Sequence, residues 1–127
     1  MAGERVLLVE DNATSSKLAA FLLRANGYDV TAAPDAESAL EAIHRQPPDV
    51  VLMDIQLPGI DGLELVRRLR AYPSARNLLI IAVTAYAMKG DQERALSAGC
   101  DDYITKPIDT RALPETIARH LKARKLL

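Results

Sequence analysis

Three short apolar runs rich in Val, Ile and Leu constrain this chain more than any other feature: 6–9 (Val-Leu-Leu-Val), 50–53 (Val-Val-Leu-Met) and 79–83 (Leu-Ile-Ile-Ala-Val). No polar residue interrupts them, and each is too short for an ordinary helix. Such runs suit strands buried on both faces of a parallel sheet. Weaker candidates lie at 28–32 and 103–105.

The segments between them carry helical spacing. Leu18, Leu22 and Ala25 form one stripe, and Ala36, Ala39, Leu40 and Ile43 a second. Leu63, Val66 and Leu69 form a third; Leu113, Ile117 and Leu121 form another near the end. Asp35 and Asp61 are placed to cap helices, and Glu64 three residues after Asp61 resembles a capping box. Asn26-Gly27 and Gly99 stand where helices would stop. Residues 89–98 have the poorest apolar face and read as a helix held loosely against the sheet. Pro114 belongs in the first turn of the last helix, where its missing N–H is harmless.

Strand and helix therefore alternate five times, without a long linker. The expected architecture is α/β: one domain over residues 1–127, a five-stranded parallel sheet covered on both faces. In such sheets ligands bind outside the carboxyl ends of the strands. The bulk composition narrows the function further. A net charge of -1 offers no basic footprint for direct nucleic-acid binding. No apolar run approaches the roughly 20 residues of a membrane span. One cysteine, Cys100, excludes an internal disulfide framework and fits a cytoplasmic setting.

The strand ends carry the chemistry. The first run ends in Glu10-Asp11, the third in Asp54, the fourth in Thr84 and the fifth in Lys106-Pro107. Three carboxylates converging in one crevice call for a hard divalent cation with oxygen ligands, Mg2+ first. Lys106 can pair with an incoming phosphoryl oxygen, and the Thr84 hydroxyl can donate to another. Each residue alone is weak evidence, since carboxylates at loop starts are commonly helix caps and threonine is common in strands. Together they resemble a phosphoryl-transfer site.

Five stretches then carry a family resemblance over almost the whole chain: 6–12, 49–54, 57–62 (Leu-Pro-Gly-Ile-Asp-Gly), 81–85 (Ile-Ala-Val-Thr-Ala) and 99–107 (Gly-Cys-Asp-Asp-Tyr-Ile-Thr-Lys-Pro). In order and spacing they resemble the receiver domains of two-component response regulators, either of the stand-alone chemotaxis or cell-cycle type or from a hybrid kinase. The resemblance implies a flavodoxin-like (βα)5 three-layer sandwich with strand order 2-1-3-4-5. It implies Asp54 as phosphoacceptor, and Mg2+ (Mn2+ as the alternative) held by Asp11 and Asp54 directly, by Glu10 through water and by the backbone carbonyl of Gln56. Lys106 resembles the lysine that pairs with the phosphoryl group, and Pro107 a proline joined to it by a cis bond. Thr84 and Tyr103 resemble the switch pair, and Gln56 and Tyr86 occupy the positions that tune phosphoryl lifetime. The implied output is the face made by the fourth helix, fifth strand and fifth helix.

The implied partners are a sensor histidine kinase or a histidine phosphotransfer protein, docking near the first helix, and a downstream protein target. A monomer is expected, with a phosphorylation-dependent dimer as the alternative. Ala112 stands where dimer-forming transcriptional members carry an acidic residue, which weakens their mode of pairing here. Leu57 replaces a frequent methionine, a mild exchange. The chain suits a stand-alone regulator or a segment of a larger protein equally. Such a receiver is not an enzyme on external substrates; it catalyses only its own phosphorylation and dephosphorylation. A phosphatase with an aspartate nucleophile would place a second acid two residues on, where this chain has Gln56. A pseudo-receiver would not need the intact acidic set, and a flavin-binding relative would need Ser, Thr and Gly after the first strand. His44, His120 and Cys100 are read as structural residues away from the rim.

Overall fold

A computed structural model describes residues 3–57, 59–75, 77–84, 90–106 and 108–125. The chain alternates as expected: β1 (Arg5–Val9), α1 (Ala13–Ala25), β2 (Asp29–Ala33), α2 (Ala36–Arg45) and β3 (Val50–Asp54). A short hairpin of β4 (Gln56–Leu57) and β5 (Ile60–Asp61) follows, then α3 (Gly62–Ala71) and a 3-10 turn (Pro73–Ala75). β6 (Leu79–Thr84), α4 (Asp91–Ala98), β7 (Asp102–Thr105) and α5 (Ala112–Lys125) complete the chain.

The main sheet is parallel throughout, in the order β2-β1-β3-β6-β7. Leaving out the two hairpin strands, this is the 2-1-3-4-5 order of a flavodoxin-like fold. β3 and β6 are buried along their whole length, which is why their sequences are continuously apolar rather than alternating. One side chain after another then points to opposite faces. Leu7, Val9, Val51, Met53, Ile80 and Ala82 pack against Ile43 of α2, Leu65, Val66 and Leu69 of α3 and Ala95 of α4. Val6, Leu8, Leu52, Ile81 and Val83 pack on the other face against Leu23 of α1 and Leu113, Ile117 and Leu121 of α5.

The helix starts follow local chemistry. Asp35 accepts from the Ser38 N–H at 2.7 Å, and Asp61 from the Leu63 N–H at 2.9 Å. Glu64 is drawn to Arg67 at 3.2 Å, so Asp61 caps α3 through its own side chain. Pro114 is the third residue of α5, inside its first turn. α4 buries little but Ala95 and Ala98 and leaves Leu96 exposed, as its sparse apolar pattern predicts.

One expectation fails. Of the stripe Leu18, Leu22 and Ala25 only Leu22 reaches the core, at its edge; Ala19, Ala20 and Leu23 face it fully. Leu18 is 67% and Phe21 74% exposed, and Leu22 is only half-buried. α1 is apolar on two faces: Ala19, Ala20 and Leu23 pack against the sheet, while Leu18 and Phe21 stay outside. The hairpin of β4 and β5 is also absent from the sequence reading. Two-residue strands are too short to show a period.

Candidate functional site

β1 and β3 are neighbours in register, with Val9 opposite Met53. Their ends therefore place Glu10 and Asp54 side by side, with Asp11 one residue further along. Among the described residues these three offer carboxylate oxygens within 4.8 Å of one another. Glu10 and Asp54 are buried and Asp11 is exposed, so the cluster has a solvent-facing mouth.

Lys106, just past the end of β7, closes the cluster from the far side. Its Nζ donates to Glu10 Oε2 at 2.8 Å and to Asp54 Oδ2 at 3.2 Å. The other oxygens are occupied as well: Glu10 Oε1 accepts from the Asn12 N–H at 3.1 Å and Asp54 Oδ1 from the Gln56 N–H at 2.9 Å. The Asp54 carboxylate is thus held by one backbone donor and one ammonium, which fixes its orientation.

One ammonium serves two buried carboxylates, and the charge states reflect it. Burial pushes the Glu10 carboxyl above the ordinary carboxylate range; Lys106 pulls it back and the nearby Asp54 charge adds to the rise. For Lys106, burial works against the charged form, but its hydrogen bonds and attraction to Glu10 and Asp54 outweigh it and raise its pKa. The cation is well held and Glu10 is under-compensated. A cluster of hard oxygen donors in that condition suits a divalent cation.

Thr84 ends β6, buried, and its carbonyl accepts from the Lys106 N–H at 2.7 Å. It pairs with Thr105 across β6 and β7, while Tyr103 pairs with Ala82 and packs half-buried against the first core. Gln56 is exposed at the rim. The structure thus brings Glu10, Asp11, Asp54 and Lys106 into contact range, with Thr84 on the adjoining strand end. Tyr86 and Pro107 lie outside the described residues. His44 and His120 are away from the rim. His44 meets the Tyr72 ring edge-on at 5.5 Å, and His120 pairs with Asp102. Cys100 is buried in the core.

The sequence reading missed two features beside the site. Lys106 bridges Glu10 and Asp54 directly, a contact across 96 residues of chain that no local pattern encodes. Gly62 was legible as the residue after a cap and the end of the 57–62 stretch, but its close packing against the backbone of Asp54 and Ile55 was not.

A flavodoxin-like sheet with carboxylates at the ends of β1 and β3 and a lysine after the last strand defines a class: a phosphoacceptor module of the α/β type. The comparisons agree. The chain belongs to the response regulator receiver domain family, which matches residues 6–118. It is 43% identical over 116 residues to the polar-differentiation response regulator DivK of Brucella anthropi, covering 91% of this chain and 94% of that protein. It is also similar to the receiver domain of sensor histidine kinase PA1611 from Pseudomonas aeruginosa, which holds a magnesium ion in its active-site cleft. The TM-score is 0.87 and the identity 40%, over 95% of this chain and 99% of that one. A CheY-like receiver from Methanospirillum hungatei superimposes with a TM-score of 0.89 at 31% identity, covering 98% of both chains. The chain is a receiver of two-component signalling rather than a classical enzyme. Among the described residues no helix is long and apolar enough to cross a membrane.

Proposed function

We propose that Asp54 is the phosphoacceptor. An Asp54 carboxylate oxygen attacks the phosphorus of a phosphohistidine on a partner, the P–N bond breaks, and an acyl phosphate forms as the imidazole leaves. The observation that carries this is the environment of one side chain. Asp54 is a buried carboxylate at a strand end, oriented by the Gln56 N–H and contacted by Lys106 at 3.2 Å. Asp11 and Asp54 would hold Mg2+ (or Mn2+) directly, Glu10 through a water and Gln56 through its backbone carbonyl. Bound there, the ion offsets the charge on the transferred phosphoryl oxygens.

Lys106 exchanges its carboxylate contacts for a phosphoryl oxygen, and the Thr84 hydroxyl donates to another. Drawing Thr84 toward the phosphoryl group vacates space beside β7, into which Tyr103 turns. The face of α4, β7 and α5 then shifts toward the arrangement its target prefers. Gln56 and Tyr86 set the rate at which water removes the phosphoryl group. Catalysis by this single domain is limited to gaining and losing that group.

The phosphoryl donor is a sensor histidine kinase or histidine phosphotransfer protein. A groove of about 360 Å³ between α1 and the segment after β7 supports that docking site, lined by Leu18, Phe21, Leu22, Lys106 and Ile108. It combines exposed apolar side chains with the site's own lysine, so a partner seated there brings its histidine toward Asp54.

Incubation with acetyl phosphate and Mg2+ tests the reading. One acid-labile, hydroxylamine-sensitive phosphoryl group is expected by intact mass, and EDTA should abolish it. Absence of any adduct on the wild type would refute the reading. Sustained phosphate release from varied monoesters would point to an enzyme instead.

A further inference from the structure

Gly62 opens α3, and its backbone lies directly against the end of the strand that carries Asp54. Its N–H donates to the Ile55 carbonyl at 2.8 Å. A Cβ at position 62 would stand 2.5 Å from the Asp54 carbonyl oxygen, 2.7 Å from Ile55 Cα and 2.8 Å from the Ile55 carbonyl oxygen. All three are backbone atoms, so no flexible side chain can swing aside. Gly62 is not among the glycines with positive φ. What it needs is room, not conformational freedom. Gly59, in the same hairpin, is the reverse: φ is +78° and open space surrounds it.

The described residues 54–57 and 59–62 close on one another as a ring. Gln56 pairs with Asp61 and Leu57 with Ile60, and the Gly62 N–H to Ile55 bond seals the base. On the outer side the Ile55 N–H donates to the Val83 carbonyl at 3.1 Å, tying the ring to β6. Asp54 and Gln56 flank the residue on which the ring closes. A shift of that backbone moves the carboxylate, and with it the Gln56 carbonyl.

We propose that Gly62 is a positioning residue for the metal and phosphoryl site. By letting α3 close onto the backbone of Asp54 and Ile55, it brings the Asp54 carboxylate and the Gln56 carbonyl within reach of one cation. The proposal rests on the reading of Asp54 given above, and it adds a residue that touches neither metal nor phosphoryl group. Groups that orient metal ligands from behind affect metal affinity by about 10- to 100-fold when altered.

The test measures Mg2+ affinity by isothermal titration, together with thermal stability, in the wild type, Gly62→Ala and Gly99→Ala. Gly99 is the control because its added Cβ would meet Arg70 Cγ at 2.9 Å, at a φ of +118°, with no part in the acidic cluster. Both variants should melt earlier. Only Gly62→Ala should lose Mg2+ affinity, by at least about tenfold. A folded Gly62→Ala with wild-type affinity, or an equal loss in Gly99→Ala, would overturn the proposal. A wild type that binds no Mg2+ would overturn the site reading itself, and this inference with it.

If Gly62→Ala does not fold, amide hydrogen exchange in the wild type serves the same end. Saturating Mg2+ should slow exchange at the Gly62 N–H more than at the Gly99 N–H, because the cation selects the closed ring. Equal slowing at both amides would contradict the proposal.

Discussion

Lys106 faces two buried carboxylates at 2.8 and 3.2 Å, and this imbalance governs what single substitutions do. Removing Lys106 leaves Glu10 and Asp54 desolvated without a cation, a situation more costly than the pair itself is stabilising. Lys106→Met should therefore lose about 1–3 kcal/mol in urea unfolding in EDTA, with part of the loss recovered on adding Mg2+. An EDTA curve that overlays the wild type would contradict the charge reading. Phe21 makes the opposite kind of prediction. At 74% exposure it contributes little to the fold, so Phe21→Asp should change stability by no more than about 0.5 kcal/mol. It should nonetheless slow transfer from a phosphorylated histidine partner while leaving acetyl phosphate labelling intact. Equal slowing with both donors would remove the docking role. The acidic residues were legible in the sequence because strand ends deliver them to one rim. The exposed side of α1 was not, since Leu18 and Phe21 are as apolar as the buried Leu23 and only packing decides between them.

At the scale of elements, the start of β7 gathers basic side chains from two helices. Asp101 accepts from Arg70 of α3 at 2.9 Å, and Arg70 also reaches the Gly99 carbonyl. Asp102 takes His120 at 2.7 Å and Arg119 at 3.3 Å, both from α5. Partial burial alone would raise the Asp102 pKa, but His120, the Tyr103 N–H and Arg119 outweigh it and hold the carboxyl below its ordinary 3.8. A depressed folded pKa means stabilisation that is present above 3.8 and lost as pH falls through the folded value. Asp102→Asn should accordingly melt below the wild type near neutral pH. The two melting curves should converge well under pH 3.8. A gap that persists unchanged in acid would show that the carboxylate charge is not the cause. None of these contacts could be read from sequence, because they join residues 17 to 31 positions apart across a turn of the chain. Helix caps such as Asp35 and Asp61 were legible for the converse reason: donor and acceptor lie two or three residues apart.

For the molecule as a whole, the sheet was the most legible part, since β3 and β6 bury every residue and their composition states it outright. The hairpin of β4 and β5 escaped because pairing of two residues per strand leaves no periodic trace. Cys100 offers a reporter of global stability. Burial, trimmed by Arg70 and reinforced by Asp101, raises its thiol pKa to about 11, so little thiolate exists in the folded state at pH 8. Alkylation by iodoacetamide should track global unfolding and accelerate with urea. Labelling at the rate of a free thiol in native buffer would mean that the core opens locally at β7. The central claim concerns a different atom, the carboxylate of Asp54, and one measurement addresses it directly. Protein phosphorylated by acetyl phosphate and Mg2+ is reduced with borohydride, which converts an acyl-phosphorylated aspartate to homoserine, and the peptides are sequenced by mass spectrometry. Conversion at Asp54 alone, absent in Asp54→Asn, is the predicted result; conversion at Asp11, or an undiminished adduct in Asp54→Asn, would contradict it.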